Sequence, residues 1–162
     1  MMKSGASFMA VKRAVASSAN ASDNHIGWQC VTTDGVLLFS SEKAGTGATN
    51  EQGLDFYDRV IDELLANNIR PFITLYHWDL PQALQDRGNG WENPDSLKWF
   101  ADYTDLVTRR YGDRVKDWIT HNEPWCTAFL GNFVGVHAPG KRDPNAAFVV
   151  THHLLLSHAA SV

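Results

Sequence analysis

Apolar residues recur at helical spacing over residues 54–65 and define one stripe along a predicted helix. The stripe consists of Leu54, Tyr57, Val60, Ile61, Leu64 and Leu65. Pro71 follows it, and the apolar run Phe72–Tyr76 then predicts a short buried strand. The connection between helix and strand is short, as is usual in α/β proteins.

The same alternation repeats further along the chain. Asn93-Pro94 predicts the start of a second helix, because asparagine caps helices well and proline suits the first helical position. Gly112 is placed to end this helix, and a second strand is predicted over Val115–Thr120. The helix carries the apolar stripe Leu97, Phe100, Tyr103, Val107 and Tyr111.

A third helix is predicted to begin at Asp143-Pro144, with Phe148, Thr151, Leu155 and His158 on one face. The order helix, strand, helix, strand, helix predicts a parallel sheet with right-handed crossovers. The connections after the two strands, residues 77–93 and 121–142, are much longer than those before them. Long loops at the carboxyl ends of the strands are typical of a TIM barrel. We therefore expect an α/β fold, a partial TIM barrel.

Residues 1–44 differ in composition from residues 45–162, which we assign to the partial barrel. No acid occurs from Met1 to Ser22, and a few basic residues lie among Ala and Ser, as in organelle transit peptides. We interpret residues 1–44 as an unassigned leader, either a disordered tail or an out-of-frame stretch. Within it, Asp34-Gly35 separates two apolar runs and predicts a hairpin.

The length and the net charge of the chain limit the kinds of function that it can have. The chain has 162 residues, whereas a closed TIM barrel needs about 250. A formal net charge of -4 without a basic stripe argues against a nucleic-acid partner. No apolar run approaches the ~20 residues that span a bilayer, so no membrane association is predicted.

Cysteine and histidine spacing predicts neither a disulfide framework nor a metal site. Cys30 and Cys126 are far apart and lack further ligands at zinc spacing, so we expect free thiols and a cytoplasmic protein. His152, His153 and His158 lack the i, i+4 pair that would face one ion on a helix. We interpret them as surface or helix-packing residues and predict no metal and no cofactor.

The strongest candidate chemistry follows the second strand, in Thr120–Trp125. Glycosidic cleavage requires an acid that protonates the leaving oxygen and a second carboxylate across the sugar. Trp118 and Trp125 would wall the carboxyl of Glu123 and disfavour its charged form, which suits a general acid. Asn122 could hydrogen-bond a sugar hydroxyl. The alternative is that Asn-Glu-Pro only forms a turn or caps a helix.

His77 and Trp78 follow the first strand and offer an imidazole and a flat indole face. Sugars present the matching mixture of hydroxyls and C–H faces, although both residues could equally support the core. Most other acids of this region are predicted on helix starts or exposed helix faces. They are Asp79, Glu92, Asp95, Asp102, Asp105, Asp113 and Asp117. The sequence thus offers one candidate acid and no convincing nucleophile.

Several stretches in one order resemble glycoside hydrolase family 1, the bacterial-type β-glucosidases. They are residues 45–47, 53–59, 74–82, 111–115, 118–125, 135–140 and 153–158, so the resemblance covers residues 45–162. It implies a TIM barrel of retaining β-glycosidases, here its second to fourth βα units. It also implies that Glu123 is the general acid/base, that Asn122 contacts the 2-hydroxyl, that His77 and Trp78 hold the glycone, and that Trp125 lines the aglycone side.

The sequence also departs from the family pattern. The family's first two strands have no counterpart before residue 45, and its nucleophile motif Thr-Glu-Asn-Gly does not occur. We therefore expect a chain that carries the acid/base half of a β-glucosidase acting on terminal β-glycosidic bonds with retention. The alternative is a catalytically inactive fragment that binds sugar or complements a partner chain. Either way, open sheet edges would favour self-association.

Overall fold

The fold is described from a computed structural model, which places Thr49 and residues 51–162, apart from the side chain of Gln52. The expected leader, residues 1–44, and its hairpin around Asp34-Gly35 lie outside the described residues. The predicted helices and strands occur in the predicted order, but the stretches predicted as long loops contain further helical elements. Its elements are α1 (Glu51–Ala66), β1 (Phe72–Tyr76), α2 (Gln82–Gly88), a 3₁₀ turn (Gly90–Glu92), α3 (Ser96–Tyr111), β2 (Asp117–His121), a π-helical segment (Cys126–Val134) and α4 (Pro144–Ser161).

Two boundaries differ from the sequence prediction. Helix α3 begins at Ser96 rather than Asn93, because Asn93 forms a turn in which its Oδ1 accepts a hydrogen bond from the Asp95 N–H at 2.9 Å. Strand β2 begins at Asp117 rather than Val115. The Val115 N–H donates to Tyr111 O at 2.8 Å, so Val115 belongs to the turn that ends α3.

The two strands pair in parallel, with Phe72 opposite Asp117 and Tyr76 opposite His121. The Asn122 N–H continues the ladder by donating to Tyr76 O at 2.9 Å. Because the strands are parallel and in this register, the residues that follow them leave the sheet at the same edge. None of the helices in the described part has the length and apolarity needed to cross a bilayer.

Helix α1 packs through its predicted apolar stripe. Five members of the stripe are buried, whereas Leu65 is 38% exposed. Burial of a side chain such as Ile61 stabilises the fold by about 1.5–3 kcal/mol. The Tyr111 hydroxyl, also in the core, donates to Leu54 O at 2.9 Å and connects α3 to α1. The buried stripe residues are Leu54, Tyr57, Val60, Ile61 and Leu64.

A cluster of ion pairs reinforces the same helix pair. Arg110 Nη2 lies 2.6 Å from Asp58 Oδ2, and Arg114 also bonds the Asp58 carboxylate and reaches Asp62 at 2.6 Å. Burial by itself would raise the pKa of Asp58, but the hydrogen bonds from Arg114 and Arg110 outweigh it and lower that pKa. The charged cluster therefore favours one arrangement of α1 against the end of α3.

Helix α4 begins as predicted, with the Asp143 carboxylate accepting from the Asn145 N–H at 2.8 Å and Pro144 at the first position. The predicted apolar stripe, however, is not the buried one, because Phe148 is 65% and Leu155 is 60% exposed. Another face is buried instead, and its two alanines and one serine let α4 approach α3, β2 and the π-helical segment closely. The buried residues are Ala146, Ala147, Val150, Leu154 and Ser157.

His121, at the end of β2, fills the space between the sheet and the helices. Its ring stacks on Phe100 with centroids 4.5 Å apart, and its Nε2 lies 3.0 Å from Ser157 Oγ of α4. Burial, and to a smaller extent the charge of His158, lowers the pKa of His121 to about 4. The structure therefore requires a neutral imidazole at this position.

We predict that His121 makes the protein sensitive to acid. A histidine with a lowered folded-state pKa contributes stability that is complete above its unfolded value of 6.5 and is lost as the pH falls towards 4. His121→Phe removes this titration, so the unfolding free energy of the wild type should fall relative to that of the variant by on the order of 3 kcal/mol between pH 7 and pH 4.

Urea unfolding at each pH measures this difference. Buried Asp79 has a raised pKa and contributes with the opposite sign, but it is present in both proteins and cancels in the comparison. His152→Phe, at an exposed position of α4, is the matched control and should follow the wild type. Parallel stability curves for wild type and His121→Phe would contradict the prediction.

Candidate active site

The two strands end in similar backbone turns. His77-Trp78 follows β1 and Asn122-Glu123 follows β2, at the shared carboxyl edge. Trp78 has φ 69° and Glu123 has φ 38°, both in the left-handed region. Non-glycine residues are uncommon in this region, and such strained residues cluster at functional sites. The strand ends are therefore the candidate site in this part of the chain.

A hydrogen bond connects the two turns. The indole Nε1 of Trp78 donates to the backbone oxygen of Asn122 at 3.0 Å. The Trp78 ring also contacts the rings of His77 and His137, with centroid separations of 5.1 Å and 5.3 Å. The structure therefore brings together three of the residues singled out from the sequence: His77, Trp78 and Asn122. It adds His137, which sequence analysis missed.

His137 reaches the site because the chain folds back after the π-helical segment. Gly131 allows this close approach, since a side chain there would collide with the backbone oxygen of Ala138. The Lys141 N–H donates to Gly131 O at 2.9 Å and holds the returning segment in place. A glycine within an apolar stretch is the feature of the sequence that could have indicated this close approach.

Glu123 is more open than expected. Its side chain is exposed, Trp125 is 55% exposed, and Trp118 packs against the hydrophobic core. The part of the predicted apolar wall assigned to Trp118 was wrong, because Trp118 lies within β2 and packs against the core.

The carboxylate of Glu123 has one side-chain neighbour of note, the thiol of Cys126. Cys126 Sγ lies 3.4 Å from Glu123 Oε2, and the Cys126 N–H donates to Glu123 O at 2.8 Å. Burial, followed by the hydrogen bond and the charge of Glu123, raises the pKa of the Cys126 thiol. The thiol therefore stays protonated near neutral pH and can act as a weak donor to the carboxylate. The sequence predicts only that Cys126 is a free thiol and gives it no role at the site.

A cavity of about 330 Å³ opens beside Trp78 and Cys126. This volume lies at the lower end of the range for small-molecule sites. Nearby, His77 Nδ1 is buried and has no hydrogen-bond partner among the described residues. The cavity is lined by Tyr76, Trp78, Cys126, Thr127, His137 and Ala138.

Asp79 is an exception to the prediction that most of the other acids lie on helix starts or exposed helix faces. It is only 9% exposed, and its Oδ1 accepts from the His77 N–H at 3.0 Å. Burial raises the pKa of Asp79 to about 6, although backbone hydrogen bonds from His77 and from its own N–H lower it in part. Asp79 therefore stabilises the turn that carries His77 and Trp78, and borders a second cavity of about 60 Å³.

Two of the three histidines of α4 take part in packing. His153 Nδ1 lies 2.8 Å from Trp91 O, and His158 Nδ1 lies 2.9 Å from Thr120 Oγ1. Across Thr49 and residues 51–162, no group of three histidine, cysteine or acidic residues is arranged to hold a metal ion.

The fold and the strand-end residues define a segment of an α/β barrel with a carboxylate, an amide and aromatic rings at the carboxyl edge of its sheet. The family model for glycosyl hydrolase family 1 matches residues 43–162, and the chain belongs to that family. A 1,4-beta-D-glucan glucohydrolase of Thermotoga neapolitana is 57% identical over 118 residues, which cover 73% of this chain and 28% of that protein. Beta-glucosidase A of Thermotoga maritima is 55% identical over 118 residues and is covered to 26%.

Solved structures agree with these relatives. The β-glucosidase from Thermotoga maritima in complex with glucoimidazole matches with a TM-score of 0.71 and 53% sequence identity. The match covers 73% of this chain and 27% of that chain. The chain thus spans about a quarter of the length of these relatives, and the predicted partial TIM barrel is confirmed.

We predict that Glu123 controls the titration of Cys126. Glu123→Gln removes the negative charge that raises the thiol pKa, so the pH midpoint for alkylation by iodoacetamide should fall. One pKa unit changes the thiolate fraction at pH 8 by up to about tenfold. Cys30→Ser provides the background in which only Cys126 reacts, and Glu51→Gln, at an exposed position at the start of α1, is the control. Identical midpoints in both variants would contradict the contact.

Proposed function

We propose that this chain supplies the acid/base segment of a β-glucosidase-type glycoside hydrolase, which cleaves terminal β-glycosidic bonds with retention in the complete enzyme. The observation that supports this most directly is Glu123, held at the end of a barrel strand in a left-handed conformation beside Asn122. Membership of glycosyl hydrolase family 1 and relatives named β-glucosidases agree with it.

In this proposal Glu123 first donates a proton to the oxygen of the leaving group and then, as a carboxylate, accepts one from water. The exposed side chain leaves room for a glycosidic oxygen and for the incoming water. A retaining enzyme also needs a nucleophilic carboxylate about 5–5.5 Å from the acid. We assign that group to another part of the complete enzyme, because Thr-Glu-Asn-Gly does not occur in the 162 residues.

The substrate proposed is a β-glucoside or a related oligosaccharide. Asn122 would hydrogen-bond the 2-hydroxyl, and His77 would bind hydroxyls of the glycone. The ring of Trp78, together with His137, lines the cavity of about 330 Å³ that would receive part of the substrate. Trp125 is 55% exposed and is available as an apolar surface for the leaving group.

We predict that Glu123→Gln slows the cleavage of substrates with poor leaving groups far more than that of activated aryl glucosides. Poor leaving groups need the proton, whereas activated ones leave without it. The test replaces the matching segment of the Thermotoga maritima enzyme with residues 43–162 of this chain. For cellobiose the expected loss in kcat/KM is about 10²–10⁴-fold, the usual contribution of acid–base catalysis, and for a dinitrophenyl glucoside it is much smaller.

Asp105→Asn, on the exposed side of α3, is the matched control and should leave both substrates unaffected. Azide provides a second readout, because a small anion can attack the glycosyl-enzyme without a general base. Glu123→Ala should therefore recover activity on the aryl glucoside when azide is added. Equal losses for both leaving groups would refute the acid role.

We also propose that the chain associates with itself through the open edges of its sheet. Within the described residues β1 and β2 pair only with each other, and Phe72 and Ile119 are 46% and 45% exposed. Unpaired strand edges beside exposed apolar side chains favour pairing with another chain.

A cytoplasmic location is proposed because Cys126, the cysteine that the structure describes, is a free thiol.

Ile119→Lys should reduce this association, since a charge on an exposed strand position opposes strand pairing. Sedimentation velocity over a concentration series of the 162-residue chain measures it. The wild type should show a concentration-dependent rise in sedimentation coefficient, and the variant should remain smaller at each concentration. Lys116→Ala, next to β2 and exposed, is the control. A monomeric wild type at all concentrations would contradict the proposal.

A further inference from the structure

We propose that Trp78 is a positioning residue for Glu123 and acts through its indole N–H rather than only through its ring face. The inference rests on the acid/base role proposed for Glu123. The observation that carries it is the hydrogen bond from Trp78 Nε1 to the Asn122 backbone oxygen, 3.0 Å long, which joins the end of β1 to the end of β2.

This hydrogen bond restrains the peptide group that precedes Glu123. The Asn122 oxygen and the Glu123 nitrogen belong to the same planar peptide unit, so fixing the oxygen fixes the plane. On its amino side, Asn122 is already fixed by the bond from its N–H to Tyr76 O at 2.9 Å. With both groups of Asn122 bonded, the backbone at Glu123 has little freedom and retains its φ of 38°.

The left-handed conformation at Glu123 requires such support. A non-glycine residue keeps this backbone only where its surroundings hold it there. The φ angle in turn determines the direction in which the Glu123 side chain leaves the strand end. The Cys126 thiol, 3.4 Å from Oε2, restrains the far end of the same side chain. Trp78 thus determines the direction in which the Glu123 side chain leaves the backbone, and Cys126 restrains its carboxylate.

Contacts on two sides restrain the ring of Trp78. Its ring contacts His77 at 5.1 Å on its own turn and His137 at 5.3 Å on the returning loop. The turn is further stabilised by buried Asp79, which accepts from the His77 N–H. With these contacts Trp78 is still 39% exposed. Its ring face is therefore open to a ligand, whereas its N–H is bonded to the Asn122 oxygen.

The test uses Cys126 as a reporter of where the Glu123 carboxylate lies. In the 162-residue chain with Cys30→Ser, the pH midpoint of Cys126 alkylation is measured for Trp78→Phe and for Trp78 replaced by 3-benzothienylalanine. The second substitution keeps the size and shape of the ring but has sulfur in place of the N–H. Burial is the largest cause of the raised thiol pKa, so a more open cavity would also lower the midpoint. The benzothienylalanine variant fills the same space as tryptophan and therefore isolates the loss of the N–H.

We expect both Trp78 variants to lower the midpoint by at least half of the shift that Glu123→Gln produces. The double variant Trp78→Phe/Glu123→Gln should show no further shift, because both changes act on the same carboxylate. Trp99→Phe, on α3, is the control for a tryptophan replacement elsewhere and should retain the wild-type midpoint. Circular dichroism confirms that each variant has the wild-type helix content before it is compared.

A wild-type midpoint in the benzothienylalanine variant would overturn the proposal, since only the N–H has been removed. An unchanged midpoint in Glu123→Gln would overturn it as well, because the carboxylate would then not be held against the thiol. A double variant that adds the two shifts would show that Trp78 acts on Cys126 by another route.

Kinetics in the grafted enzyme separate this role from sugar binding. A positioning role predicts that the benzothienylalanine variant loses kcat for cellobiose with KM unchanged and adds little to the loss in Glu123→Gln. A role limited to the ring face predicts no loss in this variant. If Glu123→Gln itself shows no dependence on the leaving group, the proposed function fails, whereas the alkylation result still decides whether Trp78 positions Glu123.

Discussion

The parallel pairing of β1 with β2 is the interaction on which the rest of the structure depends. The register that places Tyr76 opposite His121 also places the two following turns side by side. A shift of one residue would turn His121 away from Phe100 and would separate Trp78 from the Asn122 oxygen. The short ladder therefore sets both the packing of α3 and α4 beneath the site and the position of the carboxylate at its edge.

Two groups at the strand ends, one in β2 and one in the turn after β1, support this edge, and burial disfavours their charged forms. His121 must be neutral to pack between the sheet, Phe100 and Ser157, and its pKa is lowered to about 4. Asp79 is buried behind the other strand end, and its pKa is raised to about 6. Burial disfavours the charged form in both cases, but the two groups respond to acid with opposite signs. Neither residue lines the cavity beside Trp78 and Cys126, so both support the strand ends from within the fold.

Family membership and the geometry of the strand ends support different parts of the proposed function. The match to glycosyl hydrolase family 1 covers residues 43–162, and the ends of the described strands carry an acid, an amide and aromatic rings. The nucleophile motif Thr-Glu-Asn-Gly does not occur in the 162 residues. Phe72 and Ile119, on the two paired strands, are exposed within the described part of the chain. This exposure is the basis of the proposed self-association.

The sequence by itself determined the order of the three long helices and two strands, the parallel sheet and the residues at the strand ends, because hydrophobic period, proline and glycine positions are local properties. It also identified Glu123, His77, Trp78 and Asn122, since short motifs directly follow predicted strands. Only the tertiary structure decided which face of α4 is buried, that Asp79 lies inside, and that Cys126 and His137 join the site. Each of these depends on contacts between segments far apart in the chain, such as the bond from Trp78 to Asn122 across 44 positions, and local patterns carry no information about such contacts.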